Sequence, residues 1–296
     1  MTIDPAKEKA RADKKLATLK LKEDLPSPLL ELISRTMGAQ HQQRLDHPSP
    51  TVLPEDLNDE ERVRQGVPLL ERERFPVDRA QATALFHDLL EMLKESDLPP
   101  LQAAADLIRQ EVQDGELDLN QAFDHFLAGE DSFFLEWARK TPEAPRAMSF
   151  LVTSCLSPGL ETIAADLAQH LNEEQAWSFG HCPVCGSLPL MARLLNKEGA
   201  RHLTCSFCHT EYRVKRLKCP FCDEENADKL KYFKAEGESG YQVHVCDSCH
   251  MYIKTADFRD LDRPTHPLLD DLESLALDLL AQEQGYMRPS LSAWGF

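Results

Sequence analysis

Two stretches of the chain read as copies of one pattern: CPVCGSLPLMARLLNKEGARHLTCSFCHTEYRV, residues 182–214, and CPFCDEENADKLKYFKAEGESGYQVHVCDSCHMYIK, residues 219–254. Each opens on Cys-Pro-x-Cys and crosses a β-prone segment with a glycine-bearing tip, Lys197-Glu198-Gly199 in the first and Glu236 to Gly240 in the second. Each returns to Cys-x-x-Cys-His and closes on a tyrosine-led strand segment, Tyr212-Arg213-Val214 or Tyr252-Ile253-Lys254. From first cysteine pair to second the offset is 23 residues in one copy and 27 in the other, a difference the glycine-rich tip can absorb. This is a tandem repeat.

Eight of the nine cysteines lie in these copies. Two cysteines three apart in a tight turn aim both sulfurs at one point, and the turn's amides favour the thiolate form. Two such knuckles joined by roughly 15–20 residues of hairpin complete a tetrahedral cage of four sulfurs. Soft thiolates select zinc or iron over magnesium or calcium. Cys182, Cys185, Cys205 and Cys208 are the candidate ligands of one site, and Cys219, Cys222, Cys246 and Cys249 of the other; this sequential pairing closes the shortest loops, with pairing crossed between the copies as the alternative. Gly186 permits the positive φ that a knuckle needs. Cys205–His209 and Cys246–His250 also fit the haem attachment pattern Cys-x-x-Cys-His. That reading strands Cys182/Cys185 and Cys219/Cys222 without partners, so His209 and His250 are placed just outside the metal shell, in reach of a sulfur. Cys155, far upstream in an apolar stretch, reads as a small buried hydrophobe.

Outward from the repeat, short β-prone segments cover Leu188–Leu195, His202–Thr204, Tyr212–Leu217, Lys229–Phe233, Tyr241–Val245 and Met251–Thr255. After Arg263-Pro264 one helix is predicted, with Leu268, Leu269, Leu272, Leu275, Leu279 and Leu280 on its apolar face and Gly285 at its end. Upstream, Leu85, Phe86, Leu89, Leu90 and Leu93 recur at helical spacing before Pro99-Pro100. Further helices are predicted over Leu101–Val112, over Leu119–Leu127 with Gly129 as the stop, and around Phe133, Phe134 and Trp137. Another follows Pro145 through Leu156, and one more runs over Leu160–Leu171 beyond a turn at Pro158-Gly159. Residues 1–25 read as a frayed helix or arm, and 46–60, with three prolines and many acids, as a linker.

The expected fold class is therefore α+β. Residues 1–60 form a poorly ordered arm and linker with some helix, 61–177 a helical domain, 178–217 and 218–262 two four-cysteine metal modules, and 263–296 a C-terminal helix and tail. Charge supports the division. Residues 182–260 hold 12 Lys/Arg and 11 Asp/Glu, so the net charge of -17 over 296 residues is carried by the remainder. That acidity argues against a nucleic-acid or anionic-membrane coat. Hydrophobic content of 42% supports a folded core. No run reaches the roughly 20 apolar residues of a membrane span, and Met1 to Lys22 lacks the apolar stretch of a secretory leader, so a cytoplasmic protein is expected. No phosphate loop, nucleophile elbow or His-Glu-x-x-His is present, so no catalytic residue is assigned. His87, His125 and His170 are single, the acidic pairs Asp270-Asp271 and Glu224-Glu225 read as solvent-facing, and the run Arg213, Lys215, Arg216, Lys218 offers counter-charge to a metal–tetrathiolate dianion.

The succession CPVCGS…GARHLTCSFCHTEYRVKRLKCPFC…VHVCDSCHMYIKT, followed by DDLESLALDLLAQEQGYMRPS, resembles the formate dehydrogenase accessory protein family, FdhE, over about residues 180–292. The resemblance implies a helical domain followed by two rubredoxin-like modules. It implies a cytoplasmic, non-catalytic maturation factor that binds the catalytic subunit of a formate dehydrogenase before assembly or export. It carries the metal ligands onto the same eight cysteines, with iron or zinc as cofactor and a redox role at the client as a hypothesis. Nucleic acid and membrane insertion are not expected as partners, and a homodimer is left open. Two other classes remain: a zinc-ribbon nucleic-acid binder, supported by Arg213 to Lys218, and a free-standing electron carrier built on iron–tetrathiolate sites.

Overall fold

The computed structural model describes residues 5–22, 25–47, 53–171, 175–235 and 239–294. Residues 48–52 of the expected linker and 236–238 of the second hairpin tip lie outside the described residues. The chain divides into two compact units.

One unit joins the N-terminal helices to Arg72–Ile163 and is helical. Helix α1 (Pro5–Leu19) packs on α2 (Ser27–Asp46), α2 on α4 (Arg79–Lys94), and α4 on α5 (Pro99–Gln113). The apolar positions of α4 are buried as their spacing predicts: Leu85, Phe86, Leu89, Leu90 and Leu93. Each such side chain contributes about 1.5–3 kcal/mol on leaving water. Asp78 caps α4 by accepting from the Gln81 amide at 3.0 Å. Helix α6 (Leu119–Ala128) stops at Gly129, whose φ of 75° closes a left-handed cap. The Arg72 guanidinium donates to the last-turn carbonyls of Leu127, at 2.9 Å, and Phe126. Helix α7 (Ser132–Lys140) buries Trp137.

The N-terminal region is more regular than its composition predicts. Leu16, Leu19, Leu30 and Ile33 are buried, and the helices follow from that packing rather than from isolated propensity. The expected turn at Pro158-Gly159 is absent: α8 runs unbroken from Ala147 to Ala168. Proline has no N–H, so the carbonyl four residues back loses its helical donor. That carbonyl, on Ser154, instead accepts from Gln40 Nε2 at 2.8 Å. By length and composition α8 could cross a bilayer, but most of it is buried in the protein, as in a core helix.

The other unit joins Pro54–Glu71 to Ala164–Ser292. Its centre is one six-stranded sheet in the order β3-β2-β1-β6-β5-β4. The first copy supplies β1 (Pro189–Leu195), β2 (Ala200–Cys205) and β3 (Glu211–Val214), the second β4 (Leu230–Phe233), β5 (Tyr241–Cys246) and β6 (Tyr252–Ala256). Within each copy the strands are antiparallel; between copies β1 pairs with β6 in parallel, Ala192 opposite Thr255. The β3 edge is partly covered, since the Trp177 amide donates to Arg213 O at 2.8 Å.

The single C-terminal helix expected over 268–280 is two: α9 (Pro267–Glu273) and α10 (Leu275–Glu283). Lys254 Nζ explains the break, because it donates to the carbonyls of Asp271 at 2.7 Å and Ser274 at 3.4 Å. Asp270 and Asp271, expected to face solvent, are buried. Asp271 pairs with Lys254 at 2.8 Å and with Arg288 at 2.6 Å, while Asp270 accepts from Tyr241 and Thr265. A strap, residues 54–71 with the short helix α3 (Glu60–Arg64), completes this unit. The observed class is α+β, with a helical N-terminal half and two zinc-ribbon-like modules.

Candidate metal centres

Four knuckles set the eight sulfurs. In each, the residue after the second cysteine has positive φ: Gly186 at 76°, His209 at 55°, Asp223 at 62° and His250 at 56°. Glycine takes this conformation freely, and histidine and aspartate are among the side chains most tolerant of it. The amide of that residue closes the turn, as Gly186 N does onto Cys182 O and His250 N onto Cys246 O, each at 2.9 Å. Amides also point at sulfur: Phe207 N lies 3.3 Å from Cys205 Sγ, and Phe221 N 3.5 Å from Cys219 Sγ.

The sulfurs gather in sequential, not crossed, sets: Cys182, Cys185, Cys205, Cys208 and Cys219, Cys222, Cys246, Cys249. In the first, Cys182–Cys208 is 3.7 Å and Cys185–Cys205 3.4 Å; in the second, Cys219–Cys249 and Cys222–Cys246 are each 3.7 Å. All sulfurs of a set lie within 4.8 Å of one another. A tetrahedron with metal–sulfur bonds of about 2.3 Å has edges of about 3.8 Å, so both cages have the size a zinc-like ion requires. Soft thiolates suit zinc or iron alike.

Each cage mixes thiols raised by burial with one lowered by hydrogen bonds, and the two differ in exposure. Burial pushes the Cys182 and Cys208 thiols well above the usual range. Burial also opposes the Cys185 thiolate, but donation from Cys182, Cys205 and Cys208 overrules it and holds that thiol well below. In the second set burial pushes the Cys219 thiol well above the usual range and the Cys249 thiol to about 11, while burial at Cys246 is overruled by hydrogen bonds from the Cys249 and Ser248 amides. The first set is buried throughout; in the second, Cys222 is exposed and Cys249 half-buried. The strap accounts for much of this. Leu69 N and Leu70 N donate to the knuckle carbonyls of Pro183 at 2.9 Å and Val184 at 3.1 Å, and His181 Nε2 pairs with Gly66 O at 2.7 Å.

Three of the four residues expected as counter-charge pair elsewhere. Lys215 pairs with Glu225, Lys218 with Asp223, and Arg216 donates to Glu198 O. A different arginine stands near a cage. Arg201, on β2, is buried and donates to Lys218 O at 3.0 Å, the carbonyl preceding Cys219. Its Nε and Nη2 make no hydrogen bond among the described residues. Burial lowers its guanidinium to about 10, opposed by the charge of Cys219. Its place opposite Leu194 and Val214 in the sheet marks it only as one more basic strand residue, so no sequence signal identifies it. Cys155 is buried, with its thiol on Val152 O at 3.3 Å, and Glu224 caps a turn through the Asn226 amide at 2.9 Å.

Comparison with known proteins follows the same division. Residues 181–216 match the FdhE central domain and residues 217–294 the FdhE C-terminal domain, the boundary falling between the two modules. Across the whole chain, the FdhE protein of Pseudomonas aeruginosa has the same fold in its crystal structure, with a TM-score of 0.69 and 25% identity over 99% of this chain and 97% of that one. The chain resembles the FdhE proteins, in its two metal modules by sequence and over its whole length by fold. An FdhE homolog of Aquifex aeolicus is 27% identical over 100% of this chain and 98% of its own length. The FdhE protein of Escherichia coli K12 is 36% identical over 119 residues, 39% of this chain and 38% of its own. The FdhE protein of Salmonella dublin is 28% identical over 85% of this chain and 76% of its own.

Proposed function

We propose that this chain is a formate dehydrogenase accessory protein, a cytoplasmic maturation factor without turnover of its own that binds the catalytic subunit of the enzyme before assembly. The eight cysteines are its metal ligands, two four-sulfur centres of zinc or iron. The observation that carries the reading is the pair of preformed sulfur cages, with S···S distances of 3.4–3.7 Å, inside the residues that match the FdhE central and C-terminal domains. Metal there ties each hairpin to its knuckles, and binding free energy becomes folding free energy. Three members of the basic run that favours a nucleic-acid binder have partners within the protein, Lys215 with Glu225, Arg216 with Glu198 O and Lys218 with Asp223.

The test is deletion of the gene in its host, followed by complementation and affinity capture. Formate dehydrogenase activity should fall on deletion and return with the wild-type chain, which should co-purify with the catalytic subunit. Full activity in the deletion strain, or capture of no enzyme subunit, would contradict the proposal.

A further inference from the structure

The two cages are copies in sequence but not in surroundings. In the first, the middle residues of the knuckles, Pro183, Val184 and Phe207, are buried, and the strap closes over them through Leu69 and Leu70. Pro68 packs against Gly186, where an added Cβ would sit 3.2 Å from the ring. Thr210 Oγ1 lies 3.1 Å from Cys208 Sγ, completing the enclosure. In the second, the matching positions are open: Pro220 and Phe221 are half-buried, Ser248 is exposed, and so is Cys222 itself. Among the described residues no segment covers the Cys222 corner as 54–71 covers the first cage. Beside the second cage stands Arg201, a buried cation bonded to the Lys218 carbonyl that precedes Cys219.

We propose that the second centre is an open one, taking an incoming thiol ligand at the Cys222 corner, while the first is a closed structural centre. The inference rests on the metal reading given above. The step is a ligand substitution. The incoming thiol forms a metal–sulfur bond as the Cys222–metal bond breaks, and the proton it releases passes to the departing Cys222 sulfur. No electron moves. A second donor on the same ligand repeats the step at Cys249, the other accessible sulfur, and a second dithiol then displaces Cys219 and Cys246 in the same way, each departing sulfur taking the proton of the thiol that replaces it, before the metal leaves. In the first cage the same attack requires the strap and the Val184–Phe207 cover to open first, so exchange there is tied to local unfolding.

The experiment uses the full chain loaded with two equivalents of zinc and mixed with excess dimercaptosuccinate, a dithiol chelator. Released zinc is followed with time, and parallel samples are pulsed with N-ethylmaleimide and mapped by mass spectrometry. One equivalent should leave about tenfold faster than the other or more, as accessible thiolates react ahead of buried ones. Cys222 and Cys249 should be alkylated first and Cys182, Cys185, Cys205 and Cys208 last. The variant Cys222→Ser should shift the fast equivalent and leave the slow one unchanged. Release of both equivalents in one phase, or first labelling in the 182–208 set, would overturn the open-centre proposal while leaving the metal reading intact. A chain that takes up no zinc would overturn both.

Discussion

His209 and His250 occupy the position that completes each second knuckle, and their backbone explains them. With φ of 55° and 56° they hold the same turn as Gly186 and Asp223, so the residue there is selected for tolerance of the left-handed region. A ring acting on a sulfur is not needed. His250→Gly should therefore leave the metal content at two per chain, while His250→Val should destabilise the metal-loaded protein by about 1–2 kcal/mol, the cost of forcing a branched side chain into that conformation. Metal analysis and thermal unfolding of the two variants check this; loss of a metal in the glycine variant would make the imidazole a participant. At the same scale, Asp270 and Asp271 show why a residue pair misleads. Two adjacent acids read as solvent-facing, and their partners, Lys254, Arg288, Tyr241 and Thr265, are scattered along the sequence.

Helices and strands are most legible where the partner is local. The apolar face of α4 and the glycine stop of α6 need nothing beyond their own residues. Helix α8 and the α9–α10 break depend on distant side chains, and local sequence misleads at both for that reason. Gln40 repairs the hydrogen bond that Pro158 removes. Gln40→Ala should cost about 1–3 kcal/mol by leaving the Ser154 carbonyl buried and unpaired. In a Pro158→Ala background the same change should cost much less, because residue 158 then supplies the amide; a denaturant double-mutant cycle measures the coupling. The C-terminal helices carry a pH signature. Burial alone would raise the Asp271 carboxyl, but Lys254 and Arg288 overrule it and hold it below its ordinary range. A folded-state pKa below the unfolded value gives stability that is present above about pH 4 and lost as pH falls through the folded value. Asp271→Asn should thus be less stable than wild type at neutral pH, with the deficit shrinking below about pH 4 in thermal melts. A deficit that does not change with pH would assign Asp271 a packing role only.

At the scale of the molecule, the repeat decides what can be read. Spacing alone predicts four knuckles, two hairpins and two cages, because a tetrahedral four-sulfur site constrains sequence as tightly as it constrains geometry. How the copies join is not legible: β1 and β6 pair in parallel through Ala192–Thr255 and Arg193–Ala256, and no turn chemistry announces a contact between strands so far apart. The strap is hidden too, since residues 54–71 carry neither a cysteine nor a long apolar period, yet their Leu69 and Leu70 cover the first cage. The asymmetry between the cages therefore comes only from the structure, and it bears on function because it separates a closed centre from an accessible one. All of it rests on metal in both cages. The most direct test is to purify the full chain without oxygen, measure zinc and iron per chain, and count the thiols that react under native conditions. Two metal ions per chain are expected, with Cys182, Cys185, Cys205 and Cys208 unreactive until metal is removed. A folded chain with no bound metal and eight free, reactive thiols would contradict it.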